Sequence, residues 1–146
     1  MSYTLKIRAN GAFMHVTVEG DCTFENISGY LAEIQKICQE RHCSRVLIEE
    51  NLLGPDLNII NIYTIVDKAS PLAAQTMRQI AYVDVNPAHD MGISQFAETV
   101  AKNRGVNVKS FGSVRDAENW LNQNYMPTPN DVKLNPGTYQ GNAYGE

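Results

Sequence analysis

The sequence predicts an α/β domain with a mixed, mostly parallel five-stranded sheet and four helices, in the order β-β-α-β-α-β-α-β-α. Three observations predict it. Two strand-like runs of strict alternation flank the turn dipeptide Asn10-Gly11. Short apolar runs then alternate with amphipathic stretches of helical period. Capping and stop residues punctuate those stretches.

In the first strand Tyr3, Leu5 and Ile7 share one face, and Thr4, Lys6 and Arg8 the other. Residues 12–18 alternate again, with Met14, Val16 and Val18 opposing Phe13, His15 and Thr17. The pair reads as a hairpin with one face buried and the other partly wet. Glu19-Gly20-Asp21 is expected to break the second strand, and Thr23 to cap a helix over residues 24–41. The stripe of that helix is Phe24, Ile27, Leu31, Ile34 and Cys38. Residues 45–49, with Val46-Leu47-Ile48, read as a strand buried on both faces.

Gly54-Pro55-Asp56 is a turn from which a helix starts near Leu57, and Pro71 is expected to limit it near Ala69. Residues 77–85 form the next strand, ended by Asn86-Pro87. Ile93, Phe96, Ala97, Val100 and Ala101 mark the third helix, and Gly105 sits where a left-handed residue closes it. Residues 106–111 form the last strand. Ser113 with Asp116 resembles a capping box opening a helix whose stripe is Ala117, Trp120 and Leu121. Phe96 and Trp120 are expected to be largely buried. Residues 125–146, with Pro127, Pro129 and Pro136 and no apolar period, read as a tail following one domain over residues 1–124.

Composition narrows the function classes. The net charge of −4 disfavours a nucleic-acid partner, which needs a basic face. No apolar run approaches the ~20 residues of a membrane span, and the N-terminus lacks the pattern of a signal peptide. Cys22, Cys38 and Cys43 show no disulfide framework, which fits reduced thiols in a cytoplasm. Cys38, His42 and Cys43 cluster, but Cys-x3-His-Cys is not a usual zinc spacing, so no metal is expected. His89 and Asp90 follow a strand end, with Glu49, Glu50 and Asp84 near the same edge. No nucleophile, phosphate loop or cofactor motif accompanies them, so the expectation is a non-enzymatic protein without cofactor. Arg104 in Asn103-Arg104-Gly105 is read as capping the preceding helix.

The element order, with Val18-Glu19-Gly20, Ile80-Ala81-Tyr82-Val83, the stretch from Phe96 to Gly105 that ends in Asn103-Arg104-Gly105, Phe111 and Trp120-Leu121, resembles the STAS domain of anti-sigma-factor antagonists, in its bacterial STAS-like branch. The resemblance spans residues 3–124 and implies a regulatory protein with protein partners. In that family a phosphorylatable serine opens the second helix in an Asp-Ser-Ser-Gly-type turn. Here Asp56 falls at the aspartate position, and Leu57 and Asn58 stand where serines would, so no hydroxyl is present for a phosphate switch.

The second helix is unusually apolar around its circumference. Ile59, Ile62, Tyr63 and Val66 form one stripe, expected to face the sheet. Leu57 and Ile60, with Thr64 as a candidate third member, form another, expected to face away beside Leu52 and Leu53 in the preceding loop. The candidate partner-binding residues are therefore Leu52, Leu53, Asp56, Leu57, Asn58 and Ile60. The functional expectation is an interaction module that docks a protein partner or a second copy through this helix. The alternative is a carrier of a small hydrophobic, lipid-like ligand in a cleft near Tyr63, Phe96 and Val100, as in the CRAL-TRIO relatives of the fold. A third reading, an enzyme, needs Asp84, His89 and Asp90 to converge.

Overall fold

A computed structural model describes residues 2–123, so the tail expected over residues 125–146 lies outside the described residues. The chain forms β1 (Tyr3–Ala9), β2 (Met14–Asp21), α1 (Phe24–Glu40), β3 (Arg45–Leu53), α2 (Ile59–Thr76), β4 (Gln79–Asp84), α3 (Met91–Lys102), β5 (Val108–Phe111) and α4 (Val114–Gln123). The sheet follows chain order, β1-β2-β3-β4-β5. β1 is antiparallel to β2, and the pairs β2–β3, β3–β4 and β4–β5 are parallel. The fold is thus α/β with a mixed sheet, in the element order that the periodicities predict.

Alternation divides the core into two layers. Met14, Val16, Val18, Val46, Ile48 and Leu52 point toward α1 and α2, where they meet Ile27, Tyr30, Ile34 and Ile65. Phe13, Leu47, Ala81 and Val83 point the other way and pack against Ala117 and Leu121 of α4. Both faces of the central strands are therefore covered, as continuous apolar runs require. Arg45 ties α4 to this second layer: its guanidinium donates to Gln79 Oε1, to the Ala12 carbonyl at 2.7 Å and to the Leu121 carbonyl. Phe96 and Trp120 are only half-buried; Trp120 rests on Phe111 with ring centroids 5.5 Å apart.

Local signals behave as expected at the caps. Thr23 accepts from the Asn26 amide, Ser113 accepts from the Asp116 amide, and Gly105 adopts φ +87°. Arg104 donates to the Val100 carbonyl at 3.0 Å, the capping contact predicted for it, and also reaches Asp67 and Tyr63.

The largest differences from the sequence reading fall in β2, β3 and α2. β2 does not break at Glu19-Gly20-Asp21: β3 pairs with it through Asp21, and Gly20 passes so close to β1 that a Cβ there would lie 2.5 Å from the Ser2 carbonyl oxygen. β3 does not stop at Glu49 but runs to Leu53, so Leu52 and Leu53 are strand residues and not loop residues. α2 begins at Ile59 and continues through Pro71 to Thr76. Pro71 sits on the exposed side, while Ser70 and Met77 on the inner side are buried, and Ser70 donates its hydroxyl to the Val66 carbonyl at 2.6 Å. Packing along this face outweighs the one backbone bond that proline removes.

Candidate functional site

The parallel strands end together at one edge, where the β2–α1, β3–α2 and β4–α3 connections meet. Backbone and side-chain bonds lock these connections to one another. The Cys22 amide donates to the Leu53 carbonyl at 2.7 Å, and Asn86 Nδ2 donates to the Leu52 carbonyl at 2.7 Å. The Asp90 amide donates to Asp56 Oδ2 at 2.9 Å.

His89 is the clamp between the β3–α2 and β4–α3 connections. Its Nδ1 lies 2.7 Å from Asp84 Oδ2 and its Nε2 lies 2.7 Å from the Gly54 carbonyl. Asp84 and Gly54 are both acceptors, an arrangement that favours a proton on each ring nitrogen; Asn86 Nδ2 also lies 3.4 Å from Nε2. Burial alone would lower the His89 pKa, but the Gly54 carbonyl, the Asp84 carboxylate and Asp56 outweigh it and raise it. Asp56, Asp84 and His89 are the one group of metal-type ligands among the described residues. Both His89 nitrogens face acceptors within the fold, and the cluster is a hydrogen-bonded clamp. Asp90 does not converge with Asp84 and His89; it caps α3, accepting from the Gly92 amide. Glu49 lies on the opposite sheet face, 2.8 Å from His15.

Inward from the clamp lies Glu50, which the sequence placed near this edge, in a buried polar triad with Tyr30 and Tyr82 that the sequence did not show. Glu50 is 2 % exposed. It accepts one hydroxyl from Tyr30 of α1 and another from Tyr82 of β4, the latter at 2.6 Å. Burial pushes the Glu50 carboxyl up from 4.5 to about 7, although the two tyrosine donors pull it down; Asp84 adds to the rise and His89 opposes it. One signal was legible: Val46, Ile48, Glu50 and Leu52 alternate along β3, so a carboxylate occupies an inward position of an apolar face.

The triad closes one end of an apolar cavity of about 160 Å³ between the sheet and the helices. Ile62, Ile65, Ala69, Ala97 and Ala101 line it from α2 and α3. The carrier reading placed its cleft at Tyr63, Phe96 and Val100, but none of these three lines it; the lining residues are their neighbours, turned inward by the packing of α2 against α3.

The predicted partner-binding residues separate into three groups. Leu52 is fully buried and cannot meet a partner, because its strand position points into the α1–α2 layer. Asp56, Leu57 and Asn58 are committed within the fold: Asp56 to the Asp90 amide, Leu57 against the core, and Asn58 as the cap of α2, accepting from the Asn61 amide. Leu53 and Ile60 are open to solvent, 63 % and 75 % exposed. Ile59 and Tyr63, expected to face the sheet, are exposed instead, and Ile62, Ile65 and Ser70 form the buried face. The inward stripe of α2 therefore falls on Ile62, Ile65 and Ser70, to one side of the stripe expected from periodicity.

Cys38 is buried in the core with its thiol pushed up to about 12 by burial and by Cys43, and Cys43 Sγ donates to the Arg45 carbonyl. No helix among the described residues is long and apolar enough to cross a membrane. Comparison with protein-family models and with curated proteins finds no match to this chain.

Proposed function

We propose that this chain is a non-enzymatic protein-interaction module that docks a regulatory protein partner through the corner formed by the end of β3 and the start of α2. One observation carries the reading: Leu53, Ile59, Ile60, Tyr63 and Met91 are all exposed large apolar side chains, and all belong to the end of β3 or to the first turns of α2 and α3. The connections that present them are tied down by His89, Asn86 and Asp56, so the apolar side chains sit on a rigid platform. The resemblance to anti-sigma-factor antagonists supports the same corner, because the turn that opens the second helix is that family's regulatory position. Without a serine there, recognition in this chain rests on shape and apolar contact and not on phosphate.

The test compares wild type with the Leu53→Asp/Ile60→Asp double variant by sedimentation velocity and by affinity capture of partners, with circular dichroism as the folding control. A folded variant that loses capture supports docking of a partner; loss of self-association alone assigns the corner to a second copy. A folded variant unchanged in both removes the reading.

A further inference from the structure

The cavity behind that corner carries a separate inference, independent of the docking surface. We propose that it binds a small organic amine, with the apolar body held between the sheet and α2–α3 and the ammonium group donating to Glu50. Size, hydrogen-bond polarity and charge point to this class together.

The cavity measures about 160 Å³. A cavity of ~150 Å³ lined by apolar side chains holds one benzene ring. The walls here are Ile48, Ile65, Ile80, Ala69, Ala97 and Val108, so the body it accepts is an aryl or short branched alkyl group.

With Glu50 ionised, the Tyr30–Glu50–Tyr82 end accepts and does not donate. Tyr30 and Tyr82 both spend their hydroxyl hydrogens on Glu50. What remains is the second lone pairs of the carboxylate and the phenol oxygens. A ligand head that meets this end must therefore be a donor.

Charge narrows the donor to a cation. Among the described residues, the carboxyl groups lining the cavity are Glu50, Asp56, Asp84 and Glu98, and no Lys, Arg or His lines it. Three of the four are already served: Asp84 by His89, Asp56 by the Asp90 amide and Glu98 by Lys102 at 2.7 Å. Glu50 has only the neutral phenols within hydrogen-bond reach, though it is the most deeply buried of them. A buried carboxylate is costly without a cation, and an ammonium at the open lone pairs supplies one. A carboxylate or phosphate ligand meets repulsion from the ionised group, and a neutral alcohol supplies no positive charge to pair with it.

The proton balance follows. With its carboxyl pushed up to about 7, Glu50 is mostly protonated at pH 6. An ammonium ion binding there displaces that proton to solvent and leaves the carboxylate–ammonium pair; no bond within the amine changes. At pH 8 the carboxylate is already formed and little proton is released.

The experiment is titration calorimetry of the full chain with benzylamine, benzyl alcohol, toluene and benzoate, at pH 6 and pH 8, in buffers of different ionisation enthalpy. Benzylamine is expected to bind about tenfold or more tighter than benzyl alcohol, with benzoate not binding. Proton release is expected at pH 6 and not at pH 8. Glu50→Gln should erase the preference for benzylamine over benzyl alcohol. Ala97→Leu, which fills the cavity and keeps Glu50, should abolish binding and serves if Glu50→Gln does not fold. Methyl resonances of Ile48, Ile65 and Ile80 should shift on benzylamine addition to wild type and stay fixed in Ala97→Leu. Equal affinity for benzylamine and toluene, unchanged benzylamine binding in either variant, or no binding of any probe overturns the proposal.

Discussion

Tyr82 donates its hydroxyl to Glu50 at 2.6 Å across adjacent strands, although the backbone pairs Tyr82 with Ile48 and Glu50 with Asp84. The contact is diagonal: the long tyrosine reaches one inward position further along the neighbouring strand. Tyr30 arrives at the same carboxyl from α1, so strand register and helix packing must both be right for the triad to close.

That triad makes stability depend on pH in a defined direction. The Glu50 carboxyl ordinarily titrates at 4.5 and is raised to about 7 in the fold. The folded state therefore binds more protons than the unfolded state between those values, and this contribution to stability falls as pH rises through that window. The full difference is of the order of 3 kcal/mol. Urea melts from pH 4 to 8 are expected to show this decline in wild type and a flatter profile in Glu50→Gln. An equally steep decline in the variant would assign it to another group.

His89 adds a second, separable trend. Its pKa is raised in the fold, so its contribution is fully present below the unfolded value and is lost as pH rises through the folded one. Its NMR titration is expected to lie above the ordinary 6.5, and Asp84→Asn should lower it. In His89→Ala the amides of Gly54 and of Asp56 to Asn58 should exchange faster, because the ring no longer holds the Gly54 carbonyl.

Leu52 and Leu53 are adjacent and should respond oppositely. Leu52→Ala removes a fully buried side chain and is expected to cost about 2–5 kcal/mol. Leu53→Ala, at an exposed position, should change stability by about 0.5 kcal/mol or less. Denaturant midpoints of the two variants decide the matter; similar losses would mean that Leu53 belongs to the core.

Arg45 should tolerate neither truncation nor exchange for lysine. Its guanidinium meets Gln79, the Ala12 carbonyl and the Leu121 carbonyl at once, and it is buried. Arg45→Ala leaves those acceptors unpaired under α4 and is expected to cost about 3–5 kcal/mol. Arg45→Lys should recover little, since one ammonium cannot span three separated acceptors. Near-wild-type melting of either variant would show that α4 docks without this tie.

Alternation and capping are properties of a few neighbouring residues, and those the sequence determined by itself. Tyr3 to Arg8 formed the half-buried strand its pattern requires, Thr23 capped α1 and Gly105 closed α3. Tertiary structure decided everything that depends on partners far along the chain. Whether Gly20 ends a strand, whether Pro71 ends a helix and which side of α2 faces inward were settled by β1, by the inner face of α2 and by α3, none of which local propensity encodes. The same holds at the site. Glu50 finds Tyr30 and Tyr82 at separations of 20 and 32 residues, and His89 finds Gly54 at 35. A side chain's periodicity shows that it points inward, but only the packed sheet and helices determine which polar groups meet it there.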